Sequence, residues 1–179
     1  MLQYTHPKPH MLNSDFRVGE KVVYPNHGIA VVENINDRSV GDRSMQFYQL
    51  RLCSNNSLVM IPRDGIRHVG LRKVINDKEV NKLYRVLQNG MVREYDNWMG
   101  RYRENLERMQ SGSIFEVAEV LKNLFFLSNQ KDLSYREKKM FSKARYLIVS
   151  ELMEVQELPE QDIEKKLDKA LSKCMKKKK

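Results

Sequence analysis

The chain has 179 residues, 41% of them hydrophobic, enough for one large or two small domains whose cores need neither disulfide nor metal. Its formal net charge of +9 favours a polyanionic partner, although the terminal KKKK supplies four of those charges. Cys53 and Cys174 stand alone, the start MLQYTHPKPH has no apolar stretch, and no uncharged run approaches membrane-spanning length. The expectation is therefore a soluble, cytoplasmic protein of a reducing compartment rather than a disulfide scaffold or a membrane protein.

Residues 1–15 read as a flexible tail. His6 and His10 have helical metal-ligand spacing but lie among prolines, so no metal site is expected there. From Phe16 to about Lys73 the pattern is that of short strands: KVVYP, GIAVVENI, MQFYQLRLC and LVMIP are rich in branched and aromatic residues and are separated by turn formers. PNHG reads as a tight turn, NDRSVGDRS as a longer polar hairpin loop, and Pro25 and Pro62 each close a strand. In LVMIP, Val59, Met60 and Ile61 are consecutive apolar residues, yet a strand alternates its faces. At least one of them points away from its own core, towards either the following domain or a partner.

Near Asn76 the period changes to that of helices, which places a small β domain at 16–75 and a helical region at 76–158. Asp77 opens a helix through Gln88 that Asn89 and Gly90 end, and the next helix contains Trp98. SIFE and SYRE each have the form of a capping box, with Ser113 and Glu116 in the first and Ser134 and Glu137 in the second. The helices that follow carry apolar stripes at three- and four-residue steps: Ile114, Val117, Ala118, Leu121, Leu124 and Phe125, then Met140, Ala144, Leu147, Ile148 and Leu152. A last helix starts near Pro159 with Ile163, Leu167 and Leu171 on one face, so that 159–179 is a helix ending in a basic tail. The fold class is α+β.

Two constellations stand out. Trp98 is the one tryptophan of the chain, in NWMGRYRENLER. With an apolar stripe of Tyr95, Met99, Tyr102, Leu106 and Met109, it falls about 50° from the centre of that stripe, towards Arg101. A flat apolar ring flanked by guanidinium groups is what stacking on an unpaired base requires, but a rim tryptophan covering a neighbouring helix gives the same pattern. SYREKKMFSKARY carries Arg136, Lys138, Lys139, Lys143 and Arg145 against the single acid Glu137, and Arg136, Lys139 and Lys143 share a helical face. Such a face binds a phosphate backbone through counterion release, or is simply solvated. There is no glycine-rich phosphate loop, no Ser, His and Asp set and no isolated carboxylate pair, so neither catalysis nor a cofactor is expected.

FRVGEKVVYPNHGIAVVENI, MIP, VGLRKVI, NWMGRYRENLERMQSGSIFEVAEVLKNLFFL and DLSYREKKMFSKARYLIVSEL together resemble the bacterial CarD-like (CarD and CdnL) transcription regulators, from about Phe16 to Leu152. The resemblance implies an N-terminal Tudor-like β barrel that binds the RNA polymerase β subunit, and a helical domain that contacts promoter DNA at the upstream edge of the bubble. It also implies a monomer with no enzymatic activity. By the same resemblance Trp98 matches the family's minor-groove wedge, Arg101 and Arg103 match basic positions beside it, and Lys138 with its neighbours Arg136, Lys139 and Lys143 matches the basic helix. Met60 and Pro62 match the polymerase-binding edge and Arg38 its interaction loop. Two positions depart from the pattern: Gly100 where many relatives are basic, and Met60 where some have arginine. Rival readings are a general nucleic-acid binder whose β domain contacts RNA or DNA, and an accessory domain of a helicase-like coupling factor.

Overall fold

The computed structural model describes residues 16–40, 43–89 and 97–177. Alternating branched and aromatic residues build an antiparallel sheet from β1 (Lys21–Tyr24), β2 (Gly28–Val40), β3 (Arg43–Leu52), β4 (Leu58–Pro62) and β5 (Arg72–Lys73), in the order β4-β3-β2-β1-β5. One face of the sheet packs Val22, Ala30, Val32, Tyr48, Leu50 and Ile61 with Phe16, Leu71 and Ile66, the last from the short helix α1 (Ile66–Val69). In β4, Ile61 is buried, Val59 packs beside the core and Met60 points out, as alternation requires.

The segment NDRSVGDRS is not simply a loop. β2 runs through Val40 and β3 begins at Arg43, with Asp37, Arg38, Ser39 and Val40 paired to Gln46, Met45, Ser44 and Arg43. Backbone hydrogen bonds extend the ladder where the side chains alone suggest none, because a strand pair needs no apolar face once its register is set.

The chain then forms α2 (Asp77–Gln88), α3 (Trp98–Gln110), α4 (Ile114–Ser128), α5 (Tyr135–Gln156) and α6 (Glu160–Lys177). The expected stripes of α4, α5 and α6 meet in one core, with Phe125 at its margin. The Ser134 capping box forms, and a further one joins Asn76 and Glu79 at the start of α2. At Ser113 none forms: Glu116 is drawn to Arg108 at 3.0 Å, and the Ser113 N–H donates instead to Ser111 Oγ. The stripe expected on α3 also differs, since Met109 is buried but Met99 and Leu106 are exposed. The inward side of α3 carries Asn105, Arg108 and Arg101, polar residues that a hydrophobic period cannot mark. Tyr95 lies outside the described residues, as do 1–15 and the end of the lysine tail.

The two domains share an interface. Val23 and Ile29, paired across β1 and β2, are buried on the sheet face turned away from its own core, in a narrow cleft lined also by Met109, Ile114, Val117 and Leu147. Gly28 has φ of +91°, and a Cβ there would meet the Tyr146 ring at 3.4 Å and Leu147 at 3.5 Å, so glycine is the residue that fits. Beside it, Arg72 of β5 donates to both oxygens of Glu151 on α5, at 2.6 and 2.9 Å. Glu151 Oε1 also accepts the Ile75 N–H at 3.1 Å. Truncating either partner of such an enclosed pair, so that the other loses its hydrogen bonds as well as its counter-charge, costs about 3–5 kcal/mol.

Candidate nucleic-acid interface

α3 begins at Trp98 because Asn97 caps it: the Asn97 backbone is extended and its Oδ1 accepts the Gly100 N–H at 2.7 Å. A Cβ on Gly100 would stand 3.2 Å from that oxygen, so glycine lets the cap close tightly. An asparagine immediately before a helical period is a signal that could have marked this start, and it was not used. The Trp98 side chain lies outside the described residues.

The two arginines that follow have different surroundings. Arg101 turns inward: its side chain is 12% exposed, and Nε and Nη2 donate to Glu137 Oε1 at 3.0 and 2.7 Å. Glu137 Oε2 meanwhile accepts from the Ser134 N–H and hydroxyl. Burial raises the Glu137 pKa, but the hydrogen bonds from Arg101 and Ser134 outweigh it and hold the carboxyl below its ordinary value. Arg103 is 84% exposed, with only a loose approach to Glu107 at 3.8 Å. Of the pair, Arg103 is therefore the one with a guanidinium open to a phosphate, alongside the exposed Met99 and Leu106.

On α5 the structure brings Lys138, Lys139 and Lys143 together with Tyr135, Ser142 and Tyr146 in one open trough. Tyr135 is 71% exposed and carries Lys139 Nζ over its ring at 4.7 Å, while Lys143 Nζ lies 5.4 Å from the Tyr146 ring. Arg136 leans across to the Tyr102 ring of α3 at 5.8 Å. Arg145 is absent from this surface, being paired with Glu164 and, at 2.6 Å, with Asp168 of α6. The tyrosines and Ser142 of the trough are uncharged, so the basic run in the sequence does not mark them. His27, in the β1–β2 turn, stacks on Tyr24 at 4.7 Å. Burial, and then the charge of Lys143, lower its pKa.

The sheet offers a different surface. β4 is one of the two edge strands, and Met60 and Pro62 pair with Gln49 and Phe47 of β3, while Arg38 pairs with Met45. Residues 45, 47 and 49 alternate along β3, so Arg38, Met60 and Pro62 share one face of the sheet. Met60 is 37% exposed and Leu58 more so, which leaves an apolar edge that the helical domain does not cover.

Residues 16–75 match the CarD-like/TRCF RID domain family, and residues 82–168 match the CarD C-terminal domain family. The chain is also 30% identical over 148 residues to the proposed transcription factor YdeB of Bacillus subtilis (strain 168), covering 83% of this chain and 97% of that protein. The chain belongs to the CarD-like transcription factor family. An antiparallel β domain of the RID type followed by a helical domain is the family's order, and the family is one of transcription regulators rather than of a known enzyme class. The type of the first domain implies an interaction with RNA polymerase. Among the described residues no helix is long and apolar enough to cross a membrane.

Proposed function

We propose that this CarD-like protein docks on the RNA polymerase β subunit through the β4 edge and stabilises the promoter open complex through the helical domain. Arg38, Met60 and Pro62 form the docking face. An exposed edge strand offers unpaired backbone groups and an apolar side-chain row, which suits addition to a protein partner's strand. Trp98 wedges into the minor groove at the upstream edge of the bubble, Arg103 holds phosphate beside it, and Arg136, Lys138, Lys139 and Lys143 hold the duplex backbone. Arg101, committed to Glu137, supports the site without touching DNA.

The observation that carries this reading is the open Lys and Tyr trough on α5, in a chain of this family. Lysines supply affinity by releasing counterions, and the aromatic rings lend stacking faces without reading sequence. The protein works as a monomer in the cytoplasm, with no bond made or broken. A footprint of polymerase on promoter DNA, with and without the protein, tests it: protection gained at the upstream edge of the melted region is the expected result. Protection confined to duplex DNA in the absence of polymerase would favour a general nucleic-acid binder instead.

A further inference from the structure

α5 carries two enclosed glutamates on one face, Glu137 near its start and Glu151 near its end, about four turns or 21 Å apart. Each receives an arginine from another element. Arg101, one turn into α3, takes Glu137; Arg72, on β5 of the other domain, takes Glu151. Arg72 does more than close the domain junction, for its Nε donates at 2.7 Å to the carbonyl of Gly112, in the turn just after α3. That turn is wedged against the β domain: Gly112 has φ of +77°, and a Cβ there would meet Pro25 Cγ at 3.1 Å. α3 is thus tied near its start to one end of α5 and, just beyond its end, through Arg72 to the other end and to the sheet.

We propose that Arg72 is a positioning residue that holds α3 at a fixed setting relative to the β domain, so that docking of the sheet edge also places the start of α3 on DNA. The inference rests on the function proposed above and adds how its two contacts are coupled. A guanidinium is required. Arg72 uses four N–H bonds in a planar fork, two to Glu151, one to Gly112 and one to the Lys73 carbonyl, and a lysine ammonium cannot reproduce that geometry. Rigid linkage matters because a second contact adds to the first only as far as geometry lets both form together.

The test uses the full chain with Arg72→Lys, which keeps the charge and loses the fork, and Glu151→Gln as a second variant. Spin labels on the exposed Cys53 and on a cysteine replacing Lys131 report the distance between the domains. Wild type should give one narrow distribution and both variants a broad one, with melting still cooperative. Affinity for the isolated β subunit and for duplex DNA, measured separately, should stay within about two-fold, while open-complex lifetime falls about two- to thirty-fold. A narrow distribution in both variants, or a broad one with unchanged lifetime, overturns the proposal. Equal losses in every binding assay overturn it too, since that is what general destabilisation produces. If wild type itself fails to prolong open complexes, the proposed function is wrong and the coupling falls with it, whereas the distance data still decide whether Arg72 sets the domain geometry.

Discussion

The sheet edge at β4 and the outer face of α5 are both surfaces that their own cores leave out, yet they offer opposite chemistry. The edge is apolar, with Leu58 and Met60 exposed and an ion pair of Arg51 and Glu33 closing its charges on themselves. The α5 face has Lys138, Lys139 and Lys143 with no acid in the trough. On the proposed function, one surface would gain by excluding water from a protein partner and the other by exchanging small cations for a polyanion. The division of labour is a matter of side-chain chemistry, and each half can be broken separately.

The largest expected effect comes from removing the lysines. Replacing Lys138, Lys139 and Lys143 with alanine should reduce the slope of log affinity against log salt by about 2.7, and lower duplex affinity on the order of a hundred-fold at 0.1 M salt. Binding to the β subunit should not change. Titrations at several salt concentrations check this, and an unchanged slope would mean that the trough is only a solvated face.

Met60→Asp attacks the other surface. A carboxylate placed on an apolar edge must be desolvated when a partner covers it, so affinity for the β subunit should fall about ten-fold, with circular dichroism and DNA binding unaltered. Loss of DNA binding along with it would show that the two surfaces are not independent.

How much of this was legible in the sequence differs between the same two regions. In the sheet, alternation required that at least one of Val59, Met60 and Ile61 face outward, which Met60 does, and the apolar helices α4, α5 and α6 followed their stripes. α3 did not. Its inward side is built from Arg101, Asn105 and Arg108, and the ion pair that suits Arg101 to the interior joins it to Glu137 on another helix, while Arg108 is shared between Glu104 and Glu116. Arg101 and Arg103 are indistinguishable as letters; only the fold brings Glu137 to one and leaves the other open. The Ser113 box failed for the same kind of reason, since Arg108 competes for Glu116.

Trp98→Ala sharpens the contrast within the helical domain. The open-complex lifetime should fall about five- to ten-fold through loss of stacking, while the lysines still hold the backbone and duplex affinity changes little. Phenylalanine at this position should restore part of the lifetime. Stability should drop by about 1 kcal/mol rather than the roughly 3–5 kcal/mol of a core aromatic. A large fall in melting temperature with a proportionate loss of lifetime would assign the ring to the core instead.

The smallest effect concerns the tie between α3 and α5, and it carries a pH signature. The Glu137 carboxyl is held below its ordinary pKa in the folded chain, because hydrogen bonds from Arg101 and Ser134 outweigh the cost of burial. A depressed carboxylate stabilises the fold fully above its unfolded value, and the contribution disappears as pH falls through the folded value. Glu137→Gln keeps the shape and loses the charge, so at neutral pH it should be less stable by about 1 kcal/mol. That gap should narrow as pH drops below the ordinary carboxylate range, because protonation of wild type removes the same charge. Melting curves of the two proteins at neutral pH and at pH 4 and below check it. A gap that stays constant with pH would mean that the ionised pair with Arg101 contributes nothing, and that the start of α3 is held by packing alone.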